Sequence, residues 1–251
     1  MNKSAFTLVE LAIVIVIIGL LVGGVLAGQE LVKQAKIRAQ IKQLQGYDAA
    51  SLTFKSKYGY LPGDLPWQTA QKFSLLTATA SSGANILPNG DGIITDHNGS
   101  MPSVAAWAEP RLFFMQLKQS NLIKSSITPT TSPIWDVGII FPTAEIGSGG
   151  VSVTTQPDGN LYYFMGPNTR NVAANVASWA TIANDPSLLP EEASSLDEKL
   201  DDGNPSQGLV RALTRSLYPE TTLNFCLGAN DTLYNIASST FACRIIVRAV
   251  N

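Results

Sequence analysis

At 251 residues the chain has room for one apolar anchor and one sizeable globular domain, or two small ones. Its 45% hydrophobic and 14% charged residues exclude a disordered chain. A net charge of -2 and a pI near 5.4 provide no basic stripe for a phosphate backbone, so nucleic-acid binding is not indicated.

From Phe6 to Ala27 the only polar side chains are Thr7 and Glu10. This run matches the roughly 20 residues that a helix needs to cross a bilayer core. Glu10 stands out because a carboxylate in hydrocarbon costs at least ~2.5 kcal/mol, so such a residue needs a partner. A secretory signal peptide also has a basic start and an apolar centre, and Val25-Leu26-Ala27 before Gly28 would serve as a small-residue cleavage site. Against that reading, the run exceeds the usual apolar region of about 7 to 15 residues. It also contains Glu10, and the helical pattern continues past Ala27.

Met1-Asn-Lys3-Ser-Ala5, then Phe6-Thr7-Leu8-Val9-Glu10-Leu11 and the apolar run, resemble the N-terminus of type IV pilins and type II secretion pseudopilins. The resemblance implies a leader at 1–5, cut by a prepilin peptidase between Ala5 and Phe6, and N-methylation of Phe6. It also implies that Glu10 sets assembly register by pairing with the terminal amine of a neighbouring subunit. Ala5 stands where the family usually has glycine. The partners implied are other pilin or pseudopilin subunits, the peptidase and an inner-membrane assembly platform.

Beyond a membrane helix at 6–27, an amphipathic continuation is expected over 28–58. Ile37, Ile41, Leu44, Tyr47, Phe54 and Tyr58 recur at spacings of three, four and seven, which forms one helical stripe. Gly59, with Pro62 close behind, ends the helix. Lys33, Lys36, Arg38 and Lys42 on the other faces suit either lipid headgroups or solvent. Gly19, Gly23, Gly24 and Gly28 form small-xxx-small spacings, compatible with close helix packing or with local softening.

The remainder, 59–251, is expected to be a periplasmic globular domain. Tyr58-Gly-Tyr-Leu-Pro-Gly-Asp64 and Asn89-Gly-Asp-Gly92 resemble segments of pseudopilin-like chains and are, physically, turn chemistry. Asn89, Asp91 and Asp96 do not satisfy the EF-hand spacing. A second helix starts at Glu109-Pro110, with Phe113, Leu117 and Phe114 toward the core. Strands are expected over 137–141, 151–155 and 161–165, joined by turns at 147–150 and 156–160. This predicts an antiparallel meander on the long helix, with one of Tyr162 and Tyr163 facing in and the other out.

Val172, Val176, Trp179 and Ala183 form a third helical stripe, and a fourth helix runs from Pro190 to about Leu200, ended by Gly203. The acids after it, Asp201 and Asp202, crowd a helix C-terminus, where the macrodipole disfavours negative charge. Compensation would come from a cation, from Lys199 or from water. Asp201 and Asp202 are the candidate calcium ligands, and no other cofactor is required. Phe241 to Val250 reads as a closing strand. Cys226 and Cys243 read as a disulfide formed outside the cytoplasm.

Catalytic motifs are lacking: there is no G-x-S-x-G, Walker A, H-E-x-x-H or C-x-x-C, and the one histidine, His97, sits in a Gly/Asn-rich stretch. The fold expected is an α+β, pilin-like lollipop. The function expected is a structural, minor subunit of a type IV pilus-like or type II secretion pseudopilus filament, anchored in the inner membrane and not an enzyme. The alternative is a membrane-anchored periplasmic binding module that does not polymerise.

Overall fold

The structure is a computed structural model that describes residues 7–75, 88–94, 109–127, 137–166, 187–212, 226–228 and 232–250. Helix α1 spans Leu8–Tyr58 without a break, 51 residues or about 77 Å at 1.5 Å per residue. It ends where expected: Gly59 adopts φ 83°, and its N–H donates to the Lys55 carbonyl at 2.8 Å. Ile37, Leu44, Tyr47 and Phe54 are buried, with Ile41 and Tyr58 packed beside them, so the stripe read from the spacing is the face that meets the core.

Against that face lie α2 (Trp67–Lys72), α3 (Glu109–Gln119) and a four-stranded sheet. The sheet comprises β1 (Val151–Thr155), β2 (Leu161–Met165), β3 (Val210–Ala212) and β4 (Ile245–Arg248), and α4 (Pro190–Leu200) precedes β3. All pairings are antiparallel, in the order β1-β2-β4-β3. The molecule is thus α+β and lollipop-like, a long helix carrying a small sheet and extra helices.

The sheet corrects the expected meander in two places. Val137 to Phe141 forms a turn closed by a single bridge, not a strand, because Gly138 at φ 88° turns the chain back at once. The last strand, β4, then fills the centre of the sheet between β2 and β3, which suits the apolar run Ile245-Ile-Val247, buried throughout. The expected strand from Phe241 is shorter than its apolar sequence, since Leu188 and Ser187 bond Cys243 before β4 begins.

Helix α3 is buried on every side, not only at Phe113, Phe114 and Leu117. Phe114 stacks edge-on against Tyr47 of α1 at 5.2 Å and against Phe113 at 5.1 Å. Buried Tyr163 approaches Tyr47 at 5.9 Å and donates its hydroxyl to Asp48 at 2.9 Å. Tyr162 takes the other face with Phe164 and Ile246, under the Arg211 guanidinium. The two tyrosines therefore take opposite faces as expected, but Tyr162 is buried, at 2% exposure, rather than facing solvent. The stripe at Val172, Val176, Trp179 and Ala183 lies outside the described residues.

Candidate functional site

The helix start is the first candidate. Thr7 caps α1: its hydroxyl accepts the Glu10 N–H at 3.3 Å, and Glu10 Oε2 accepts the Thr7 N–H at 2.8 Å and the Thr7 hydroxyl at 2.9 Å. This is a reciprocal capping box. It satisfies the carboxylate from within the chain and fixes it at the rim of the helix, three residues in from the cap. Ala5 and Phe6, the expected cleavage and methylation positions, lie outside the described residues.

The large apolar side chains from Leu8 to Val32 are all at least half exposed, from 50% at Val14 to 86% at Leu8. Among the described residues, no part of the globular domain covers them. Leu8–Tyr58 is the helix among the described residues that is long and apolar enough to cross a membrane.

Residues 1–26 match the model of the prokaryotic N-terminal methylation motif. The chain carries the prepilin signature of type IV pilins and pseudopilins. The motif is that of structural subunits, made to be processed by prepilin peptidase and to assemble with other pilins. No curated protein and no solved structure matches the chain.

The second candidate is the acidic loop after α4. Asp197, Asp201 and Asp202 bring one carboxylate oxygen each within 4.8 Å of one another. Asp197 is buried and accepts the Tyr234 hydroxyl at 2.9 Å and the Gly203 N–H at 3.2 Å. Burial raises its carboxyl to about 6, against those two bonds and with the help of the neighbouring Asp201 and Asp202 charges. Asp201 accepts the Leu209 N–H and, at 3.4 Å, the Val210 N–H. Gly208, at φ 82°, permits this approach, because a Cβ there would collide with the Asp201 carboxylate. Asp202 accepts the Asn204 N–H at 2.8 Å.

The helix-end acids are thus compensated by backbone donors of the following loop. Lys199, one of the three compensations expected beside a cation or water, bonds Gln34 of α1 at 2.5 Å. As an oxygen-only donor set the three carboxylates suit a hard cation, with Asp197 as the member missed in the sequence. Its four-residue spacing from Asp201, one helical turn, was the signal available.

The two turn motifs form one unit that local reading did not join. Buried Asp64 of Leu-Pro-Gly-Asp accepts the N–H groups of Gly90 at 2.6 Å and Gly92 at 2.7 Å, so it clasps the Asn89-Gly-Asp-Gly loop from across the fold. Burial raises the Asp64 carboxyl against these bonds. Gly63, at φ 88°, donates its N–H to buried Gln116 at 2.7 Å, and a side chain there would strike the Glu109 carbonyl. Asn89 and Asp91 bond each other, and Asp91 accepts the Ile93 N–H, as in an Asx turn. Asp96 and His97 lie outside the described residues.

Cys226 and Cys243 form a disulfide with a Cα–Cα distance of 4.8 Å. It ties the segment entering β4 to the loop at 226–228.

Proposed function

We propose that the chain is a structural subunit, of the minor class, of a type IV pilus-like or type II secretion pseudopilus filament. Prepilin peptidase cuts between Ala5 and Phe6, Phe6 is methylated, and the bare half of α1 holds the subunit in the inner membrane with its globular domain in the periplasm. An inner-membrane platform then moves the subunit into a filament, where the bare halves pack on one another. The methylation motif carries this reading, and the uncovered stretch from Leu8 to Val32 supports it.

Glu10 acts as the register residue. Inside the membrane its carboxylate exchanges the Thr7 cap for the amine of a neighbouring Phe6, so that the buried charge is neutralised only in the correct offset. The test is Glu10→Ala, which keeps membrane insertion and loses at least about ten-fold in filament yield. A yield equal to wild type removes the register role. The long connector after α1 and the extra helices favour a minor over an abundant subunit. Complementation of a strain lacking the abundant subunit would contradict this assignment.

Asp197, Asp201 and Asp202 hold calcium in the same reading, with one oxygen from each available within a single coordination sphere. Calcium at about 100 times its Kd would stabilise the domain by about 2.7 kcal/mol, and Asp201→Asn with Asp202→Asn would abolish the shift. An unchanged melting temperature across millimolar calcium removes this component.

A further inference from the structure

The segment between the two cysteines has little burial to hold it in place. Leu233, Ile236 and Phe241 are 69%, 65% and 48% exposed, and among the described residues it buries only Leu227, Tyr234 and Ala242 besides the cysteines. Two backbone bonds shape it: the Asn235 N–H donates to the Cys226 carbonyl at 2.8 Å, and the Gly228 N–H donates to the Leu233 carbonyl at 2.9 Å. They close a hairpin that presents Tyr234.

This hairpin is fastened at both ends of α4. At the start, the disulfide joins Cys226 to Cys243, and Cys243 exchanges backbone bonds of 3.0 and 3.2 Å with Leu188, two residues before the helix. At the other end, the Tyr234 hydroxyl donates to Asp197 in the last turn, at 2.9 Å. That carboxylate also accepts the Gly203 N–H, so it organises the loop that follows. Within the loop Asp201 accepts the Leu209 and Val210 N–H groups, and the Pro205 carbonyl accepts the Ala212 N–H at 2.8 Å. The Leu209 carbonyl accepts the Arg248 N–H of β4, so by alternation Val210 and Ala212 turn their N–H groups to the outer edge of β3. The loop therefore covers a sheet edge that could otherwise pair with another strand.

We infer that the Cys226–Cys243 disulfide is a maturation latch: once formed, it sets the Tyr234 hydroxyl on Asp197, and that bond locks the loop at 201–205 over the edge of β3. The cross-link confines Tyr234 near its acceptor and so replaces the burial that an exposed hairpin lacks. Tyr234 in turn supplies a donor that the buried carboxylate cannot lose cheaply. The latch forms by thiol–disulfide exchange with an oxidant that itself carries a disulfide. One cysteine thiolate attacks that disulfide, and the second displaces the oxidant from the mixed disulfide. Two electrons and the two thiol protons pass to the oxidant, which leaves as a dithiol. Cys226 and Cys243 are then 3% and 0% exposed, which shields the bond from reductants. The latch is set once and not switched. It needs the disulfide, and neither the filament nor the calcium reading.

The test is hydrogen exchange on the oxidised full chain in detergent micelles with chelator, followed at the amides of Gly203, Leu209 and Ala212. Tyr234→Phe keeps the ring and the disulfide, yet it should speed exchange at these amides at least about ten-fold. Cys226→Ser with Cys243→Ser should do the same. Adding Tyr234→Phe to the chain with both serines should then change the rates by less than about two-fold, because the two sites act through one bond. Wild-type exchange in Tyr234→Phe overturns the latch, and it leaves the disulfide as a general staple. A further rise comparable to the first when Tyr234→Phe joins the two serines also overturns it, since the bond would then form without the cross-link.

Discussion

From Leu8 to Val32 α1 covers none of its apolar side chains, whereas from Lys33 to Tyr58 it sinks one face into the core of its own domain. Backbone hydrogen bonding is continuous through both halves, so helix formation does not distinguish them; the source of burial does. The second half finds its cover in α3, β2 and the loop at 143–145, where Gln40 accepts the Glu145 N–H at 2.7 Å and Gln43 donates to the Thr143 carbonyl at 2.8 Å. The first half has to find its cover outside the chain. Each Leu, Ile or Val left in water forfeits roughly 1.5–3 kcal/mol, which favours an apolar environment supplied from outside the described part of the chain.

The comparison breaks most sharply under a pair of truncations. Phe54→Ala empties a fully buried site and should cost the globular domain about 3–5 kcal/mol. Val16→Ala removes a similarly apolar side chain from the exposed half and should leave the thermal or urea midpoint of the domain unmoved. Equal effects would mean that the first half is part of the folded core after all. Next in size, replacing Cys226 and Cys243 with alanine removes a cross-link between residues 17 apart. The cost should be on the order of 3 kcal/mol, read as a lower midpoint of the globular domain.

Asp64→Ala sharpens the picture within the clothed part. Losing both N–H bonds to Gly90 and Gly92 should cost roughly 1–3 kcal/mol and release those two amides to fast hydrogen exchange; continued protection would show that the loop holds itself. The smallest effect is a pH slope. Asp197 titrates near 6 in the fold, above the ordinary carboxylate range. Between about pH 4 and 6 the folded chain therefore holds a proton that the unfolded chain releases, so this group's stabilisation is fullest at the acid end and is lost as pH rises through 6. In chelator, Asp197→Asn should flatten the melting profile across that window, and an identical slope in variant and wild type would exclude the assignment.

Much of this architecture is legible in the amino-acid order because local physics fixes it. The ends of α1 and α4, the stripe Ile37 to Tyr58 and the hairpin of β1 and β2 each follow from periodicity or turn chemistry within a few residues. What escapes is non-local. The all-round burial of α3 is hidden because Arg111 and Gln116 mark an outer face on sequence grounds, yet both are buried. The central place of β4 depends on pairing across most of the domain. Asp64 reaches Gly90 and Gly92 over a separation no motif encodes, and the six-residue α2 is too short for a periodic signal. At the candidate sites, Glu10 stands out because a charge interrupts an apolar run. Asp197 is missed because its burial by Tyr234 is a tertiary fact.

The central claim is that the bare half of α1 is kept, processed and used for assembly. Mass spectrometry of the native protein's N-terminus tests it most directly. The account predicts a chain that begins at N-methylated Phe6; a mature protein that begins at Gly28, its apolar segment removed, would contradict it.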